Sequence, residues 1–215
     1  MTIFFDSDFK WDRYLQMGSR QFFKEKAVIY TQGTTGEGFY YIHKGIVKVT
    51  TTTTAGNDRL LNIAVPGQLL GIQAMDRQPH FTTATVVNDT ILYYFSCDQF
   101  EKLINLQPSL LNLFIKTVIQ KMHILADKIY LYTLTPEQQL SSILLNICYE
   151  FKNYEVHITQ QDLTKCTGLS RITVYKILKQ WKEEQIIEIK ERKFFIKKPE
   201  LLKRLINQNT IAKSV

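Results

Sequence analysis

Along the chain the period of the apolar residues changes from two to helical, and the helical pattern is then broken and restarted. Between about residues 20 and 98, β-branched and aromatic residues gather in short runs: KAVIYTQG, GFYYIHKGIVKVTTTTT, RLLNIAV and ILYYFS. Runs of this composition predict strands. The segments TTGEG, AGND and VPGQLLG between them predict turns, because glycine reaches backbone angles that side chains resist. The threonine run from Thr50 to Thr54 extends one of these strands on a half-exposed face. Many short strands at close spacing predict a sandwich or barrel-like β domain.

From about residue 98 to 133 the period becomes helical. Leu111, Ile115, Val118, Met122, Leu125, Ile129 and Tyr132 recur in alternating steps of four and three, with Lys116, Lys121, Asp127 and Lys128 off the seam. Such a helix either lies on its own β domain or pairs with a second copy as a parallel coiled coil. The length of the seam favours the dimer. YTLTPEQQL then interrupts the pattern: Thr135 predicts an N-cap, Pro136 the first helical residue and Gln138 the third, opening a helix to about Lys152 after a hinge.

Beyond Thr159 the segment TQQDL predicts a capped short helix ending near Thr167, and Gly168 a tight turn. Ser170 then caps a second helix from Arg171 to about Glu184, packed through Val174, Ile177, Leu178 and Trp181, with Leu163 and Leu169 completing a small core. Helix, glycine turn, helix is helix-turn-helix spacing. IIEIKERKFFIKK alternates around a polar KERK and predicts a hairpin, which makes the unit a winged helix.

Composition narrows the setting. The three cysteines, Cys97, Cys148 and Cys166, are odd in number and far apart, which argues against a disulfide framework and against a zinc or iron–sulfur site. A reducing cytoplasm fits them best. No apolar run is long enough for a membrane span, and MTIFFDSDFK lacks the basic and apolar regions of a signal peptide. The net charge of +7 is placed unevenly: residues 137–215 carry fourteen Lys and Arg against nine Asp and Glu. That excess points to a polyanionic partner, nucleic acid before membrane.

The second helix shows how. A helix enters the major groove with its N-terminal residues facing base edges. Opposite the packing face stand Arg171, Ile172, Tyr175, Lys176 and Lys179. Arg171 and Lys176 can donate to guanine, and Ile172 suits a thymine methyl. Ser170, Thr173 and Lys179 are better placed for phosphate. Lys190, Arg192 and Lys193 at the wing tip would add backbone contacts, which fix register and make binding salt-dependent. Taken singly, Lys179 and Lys193 read more simply as solvated charges; the whole constellation reads as DNA recognition.

These residues carry a resemblance. ITQQDLTKCTGLSRITVYKILKQWKEEQIIEIKERKFFI resembles the DNA-binding domain of the Crp/Fnr superfamily of bacterial transcription regulators, and GEGFYYIHKGIVKV followed by VPGQLLGIQAM resembles its β-roll sensor domain. The likeness spans nearly the whole chain. It implies an α+β fold: a β-roll, cyclic-nucleotide-binding-like domain over 1–107, a long dimerisation helix over 108–133 and a winged helix-turn-helix domain over 134–215. It also implies a homodimer on a palindromic operator, RNA polymerase as a partner, and an effector at the β-roll/long-helix junction that repositions the DNA-binding domains.

The departures limit the effector. Cyclic-nucleotide binders of the family hold the ribose with a glutamate and the phosphate with an Arg–Ser/Thr pair. The corresponding positions here are Ile72, Thr82 and Thr83, and the hydroxyl residues that touch the purine fall at about Leu125 and Ala126. A phosphate without arginine is poorly held, so cyclic AMP is not expected to bind tightly. The iron–sulfur branch needs cysteines near the N-terminus, and the first here is Cys97. His43, His80 and His123 stand alone, as surface or core histidines usually do, so no haem or other cofactor is expected. A small organic metabolite, a thiol such as glutathione as in the faintly similar PrfA branch, or no ligand at all stay open. The isolated cysteines read as small apolar residues. In the family's recognition helix a cytosine-reading glutamate follows the arginine; here Ile172 follows Arg171, and Lys176 replaces a later arginine. The operator should therefore differ at the Ile172 position. The alternative function is a β-roll module acting on a protein partner without DNA. No nucleophile elbow, phosphate loop or metal spacing suggests an enzyme.

Overall fold

Alternating apolar residues build the N-terminal half into strands β1 (Ser19–Phe23), β2 (Val28–Tyr30), β3 (Gly38–Lys44), β4 (Val47–Thr52), β5 (Asp58–Ala64), β6 (Leu69–Leu70), β7 (Thr83–Val86) and β8 (Thr90–Ser96). The computed structural model describes residues 11–151, 154–156, 158–190 and 193–211. Two compact units divide the chain, the first ending at Ile124 and the second beginning at Leu125.

In the first unit the strands form two four-stranded antiparallel sheets, ordered β1-β8-β3-β6 and β2-β7-β4-β5. Side chains alternate between faces along a strand, so Ile42 and Leu92 turn to the roll interior with Val47, Ala64, Leu70 and Ala84. Phe39, Tyr41 and Phe95 turn the other way, onto Trp11, Phe100, Leu103 and Leu110. Trp11 meets Phe39 edge to face at 5.5 Å. Gly45 makes the β3–β4 turn at φ 104°, where a side chain would be strained and would strike Thr90. A 3-10 helix, Ile72–Asp76, leaves β6 and leads toward β7.

Helix α1 (Cys97–Leu106) starts from a capping box made by Ser96 and Gln99. After Pro108, α2 (Ser109–Leu131) runs 23 residues and continues past the division between the units. Its seam residues Leu111, Ile115, Met122, Leu125 and Ile129 are exposed, from 40% at Leu111 to 70% at Ile129, and Val118 is half-buried. Tyr132, beyond the helix, is exposed too.

The second unit contains α3 (Pro136–Phe151), β9 (Glu155–Val156), α4 (Gln160–Thr167), α5 (Arg171–Glu183), β10 (Ile187–Lys190), β11 (Lys193–Ile196) and α6 (Pro199–Ile211). Thr135 caps α3, accepting from the Gln138 amide at 3.3 Å, and the Gln138 side chain donates to Leu205 O of α6 at 3.0 Å. The hairpin β10–β11 adds β9 as a third strand. Strands β1, β6 and β7 and helix α6 were not legible in the pattern above: β6 has two residues and β7 four, too few to set a period. Arg192, expected at the wing tip, lies outside the described residues.

Candidate nucleic-acid interface

Local hydrogen bonds fix helix α5. Thr159 and Asp162 form a reciprocal box at the start of α4, with Asp162 N donating to Thr159 Oγ1 at 3.1 Å and Thr159 N to Asp162 Oδ2 at 2.9 Å. Gly168 ends α4 in the left-handed region at φ 75°, which turns the chain without the penalty of a β-carbon. Ser170 starts α5, its Oγ accepting from the Thr173 amide at 3.0 Å. Val174, Ile177, Leu178 and Trp181 are buried, as their spacing requires, and Leu163 of α4 is fully buried.

The rest of α5 faces solvent. Arg171, Ile172, Tyr175, Lys176 and Lys179 are all exposed, Ile172 to 68%. With about 100° between successive residues, Ile172 and Lys179 lie nearly opposite the buried stripe, Lys176 beside them and Arg171 at the N-terminal end. Among the described residues no acid pairs with Arg171 or Lys176. Their donors are thus open to an acceptor in a groove.

Other expected contacts are more committed. Ser170 Oγ and Thr173 Oγ1 lie 2.8 Å apart, so one hydroxyl donates to the other and one O–H is left for a further acceptor. Lys179 sits 3.9 Å from Glu183, one turn on, in an exposed pair of little strength. Lys193 opens β11 and donates to Glu155 Oε1 of β9 at 2.8 Å, tying its charge to the sheet. Lys190 pairs with Glu188 at 2.6 Å and Lys197 with the same carboxylate at 3.0 Å; both hold Glu188 below the usual carboxylate range. The wing therefore offers less free charge than its sequence suggests. Gln160 and Lys182 were not singled out from sequence, yet with Tyr175 and Lys179 they line a hollow of about 560 Å³ beside α5. Only the fold brings the start of α4 to that face.

Within the first unit, Thr82 is buried and accepts from Gln73 Nε2 at 2.9 Å, with the Tyr30 hydroxyl at 3.5 Å. Burial raises the Tyr30 phenol, the bond to Thr82 opposing it. Thr83 accepts from the Gln32 amide at 3.0 Å, and Ile72 packs on the aromatic cluster around Trp11. Both hydroxyls are thus occupied by neighbours. Tyr41 points to the helix-covered face and donates to Asp12 at 2.9 Å, while Tyr40 packs beside Tyr30. Leu125 and Ala126 lie exposed on α2. Cys97, Cys148 and Cys166 are buried, and none of them forms a disulfide among the described residues. Among the described residues no group of His, Cys, Asp or Glu could hold a metal ion, and no helix is long and apolar enough to cross a membrane.

Two family models match, the cyclic nucleotide-binding domain over residues 20–107 and the Crp-like helix-turn-helix domain over 138–205. The chain belongs to the Crp/Fnr family of transcription regulators. Like other members, it carries a DNA-binding helix-turn-helix domain behind a cyclic-nucleotide-binding-like roll. It is 23% identical to the global nitrogen regulator of a Nostoc species over 195 residues, 85% of this chain and 86% of that one. It is 24% identical to the cAMP-activated global transcriptional regulator CRP of Salmonella typhimurium over 174 residues, 77% and 83% of the two chains. A CRP/FNR family regulator from Thermus thermophilus shares the fold, with a TM-score of 0.76 at 20% identity over 88% of this chain and 99% of that one.

Proposed function

We propose that this Crp/Fnr family member is a homodimer that reads a palindromic operator, one α5 helix per half-site. One observation carries the reading: a helix held by caps and a buried stripe leaves Arg171, Ile172, Tyr175 and Lys176 in solvent, with no acid pairing either cation among the described residues. Arg171 and Lys176 donate to guanine and Ile172 meets a thymine methyl. Ser170, Thr173, Lys179 and, less strongly, Lys193 and Arg192 serve the backbone. Dimerisation runs along the α2 seam, whose apolar residues are exposed in the single chain. Work in the cytoplasm, with RNA polymerase as a further partner and no catalysis, completes the proposal.

Control by an effector other than cyclic AMP follows from position 82. A cyclic phosphate there would meet a threonine hydroxyl already bonded to Gln73 and Tyr30, and no guanidinium. A calorimetric titration with cyclic AMP should give no saturable heat, and micromolar affinity would refute this part.

DNA reading is tested by mobility shift of the full chain on duplexes selected from a random pool, at several salt concentrations. Log affinity should fall linearly with log salt. Arg171→Ala should cost about 1–3 kcal/mol and relax the choice at one base pair of each half-site. Equal affinity for every duplex, unchanged by Arg171→Ala, would refute it.

A further inference from the structure

Beside the β2–β3 loop the first unit holds a hollow of about 330 Å³, lined by Tyr30, Gly36, Glu37, Tyr40, His80 and Tyr94 among others. That is the lower end of the range of small-molecule sites, roughly 300–1,000 Å³. Its rings stand in a row. His80 stacks on Tyr30 at 4.1 Å, Tyr30 on Tyr40 at 6.5 Å, and Tyr40 meets Tyr94 at 5.0 Å. Direct pairing of Tyr40 with Tyr94 across β3 and β8 sets the last contact. Gly36 lets the loop close over the row, because a β-carbon there would run into the His80 imidazole.

The charge of this hollow is opposite to that of the chain. The protein carries +7, yet the lining contains no Lys or Arg and one carboxylate, Glu37. Glu37 is exposed, and among the described residues no cation pairs with it. Its charge adds to burial and to Cys97 in raising the Tyr94 phenol. Burial lowers His80, so the imidazole is neutral near pH 7 and adds no positive charge. Its Nδ1 is buried without a hydrogen-bond partner, in a side chain only 4% exposed. An anion entering here would meet Glu37 and no compensating charge. A cation would meet a carboxylate and electron-rich phenol rings.

We propose that this hollow binds a small organic ammonium ion, its charge against Glu37 and the Tyr40 and Tyr94 rings. Ile72, Thr82 and Thr83 do not line the hollow, although the Tyr30 hydroxyl reaches Thr82 at 3.5 Å, and the proposal stands whether or not the chain reads DNA as argued above.

Calorimetric titration of the full chain with choline tests it, beside the neutral isostere in which a tert-butyl group replaces the trimethylammonium. Choline should bind saturably, one per chain, with the isostere weaker by about tenfold or more. Glu37→Gln, at an exposed position, should weaken choline about tenfold. Tyr40→Phe should keep binding and Tyr40→Ala should lose it, with melting curves separating a lost ring from a lost fold. No saturable heat from choline, equal binding of the isostere, or unchanged binding in Glu37→Gln would each overturn the proposal.

Discussion

Ile129→Lys is the sharpest probe of the α2 seam. Ile129 is 70% exposed in the single chain, the most exposed of the seam residues. Full burial of an isoleucine contributes about 1.5–3 kcal/mol, so covering the open part contributes about 1–2 kcal/mol per chain. A dimer buries two copies, about 2–4 kcal/mol, which is roughly a thirtyfold to thousandfold change in the dimer constant. Two lysines facing each other across a seam add repulsion and desolvation to that loss. The fold of each chain should hardly respond, because exposed substitutions stay within about 0.5 kcal/mol. Sedimentation velocity should therefore show Ile129→Lys monomeric at concentrations where the parent protein and Ile129→Leu are dimeric, with melting of the monomer little changed. A parent protein that is monomeric throughout, or an Ile129→Lys dimer as tight as the parent, would refute the seam.

Three further outcomes follow from particular residues. Leu163→Ala, at a fully buried position under α5, should cost about 2–5 kcal/mol in denaturant unfolding and weaken DNA binding through lost support of the helix. Cys148, its thiol pushed up to about 11 by burial, should resist a thiol reagent at pH 7 until the protein unfolds; rapid labelling of the native protein would contradict the placement. His80 is neutral by burial, so the unfolded chain binds its proton more readily and stability should fall as pH drops through the unfolded value of about 6.5. His80→Phe should flatten that acid limb in denaturant titrations, and an unaltered limb would count against it.

Legibility in the sequence followed the range of each signal. The caps at Thr135, Thr159 and Ser170, and the turn at Gly168, were readable because each bond joins residues three or four apart. The buried stripe of α5 was readable from its spacing. What stayed hidden is long-range. Lys193 looked like a free wing-tip cation, but it is paired with Glu155, 38 residues away, by the joining of β11 to β9. Thr82 was identified by position, whereas its occupation by Tyr30, 52 residues off, depends on roll closure. The row of rings at His80, Tyr30, Tyr40 and Tyr94 draws on four separate segments, and no local pattern announces it. Helix α6 opens at Pro199 with no polar cap that a pattern search would find.

On the proposed function, α5 reads bases and Ile172 changes what is read. Selection of bound sites from a random duplex pool, run in parallel with the parent protein and Ile172→Glu, tests it most directly. Ile172 is 68% exposed, so the substitution should leave the fold intact. The parent should select a palindrome with guanine opposite Arg171 and thymine at the Ile172 position, and the variant should change that second base alone, toward cytosine. Recovery of the same site by both proteins, or of no site by the parent, would contradict the account.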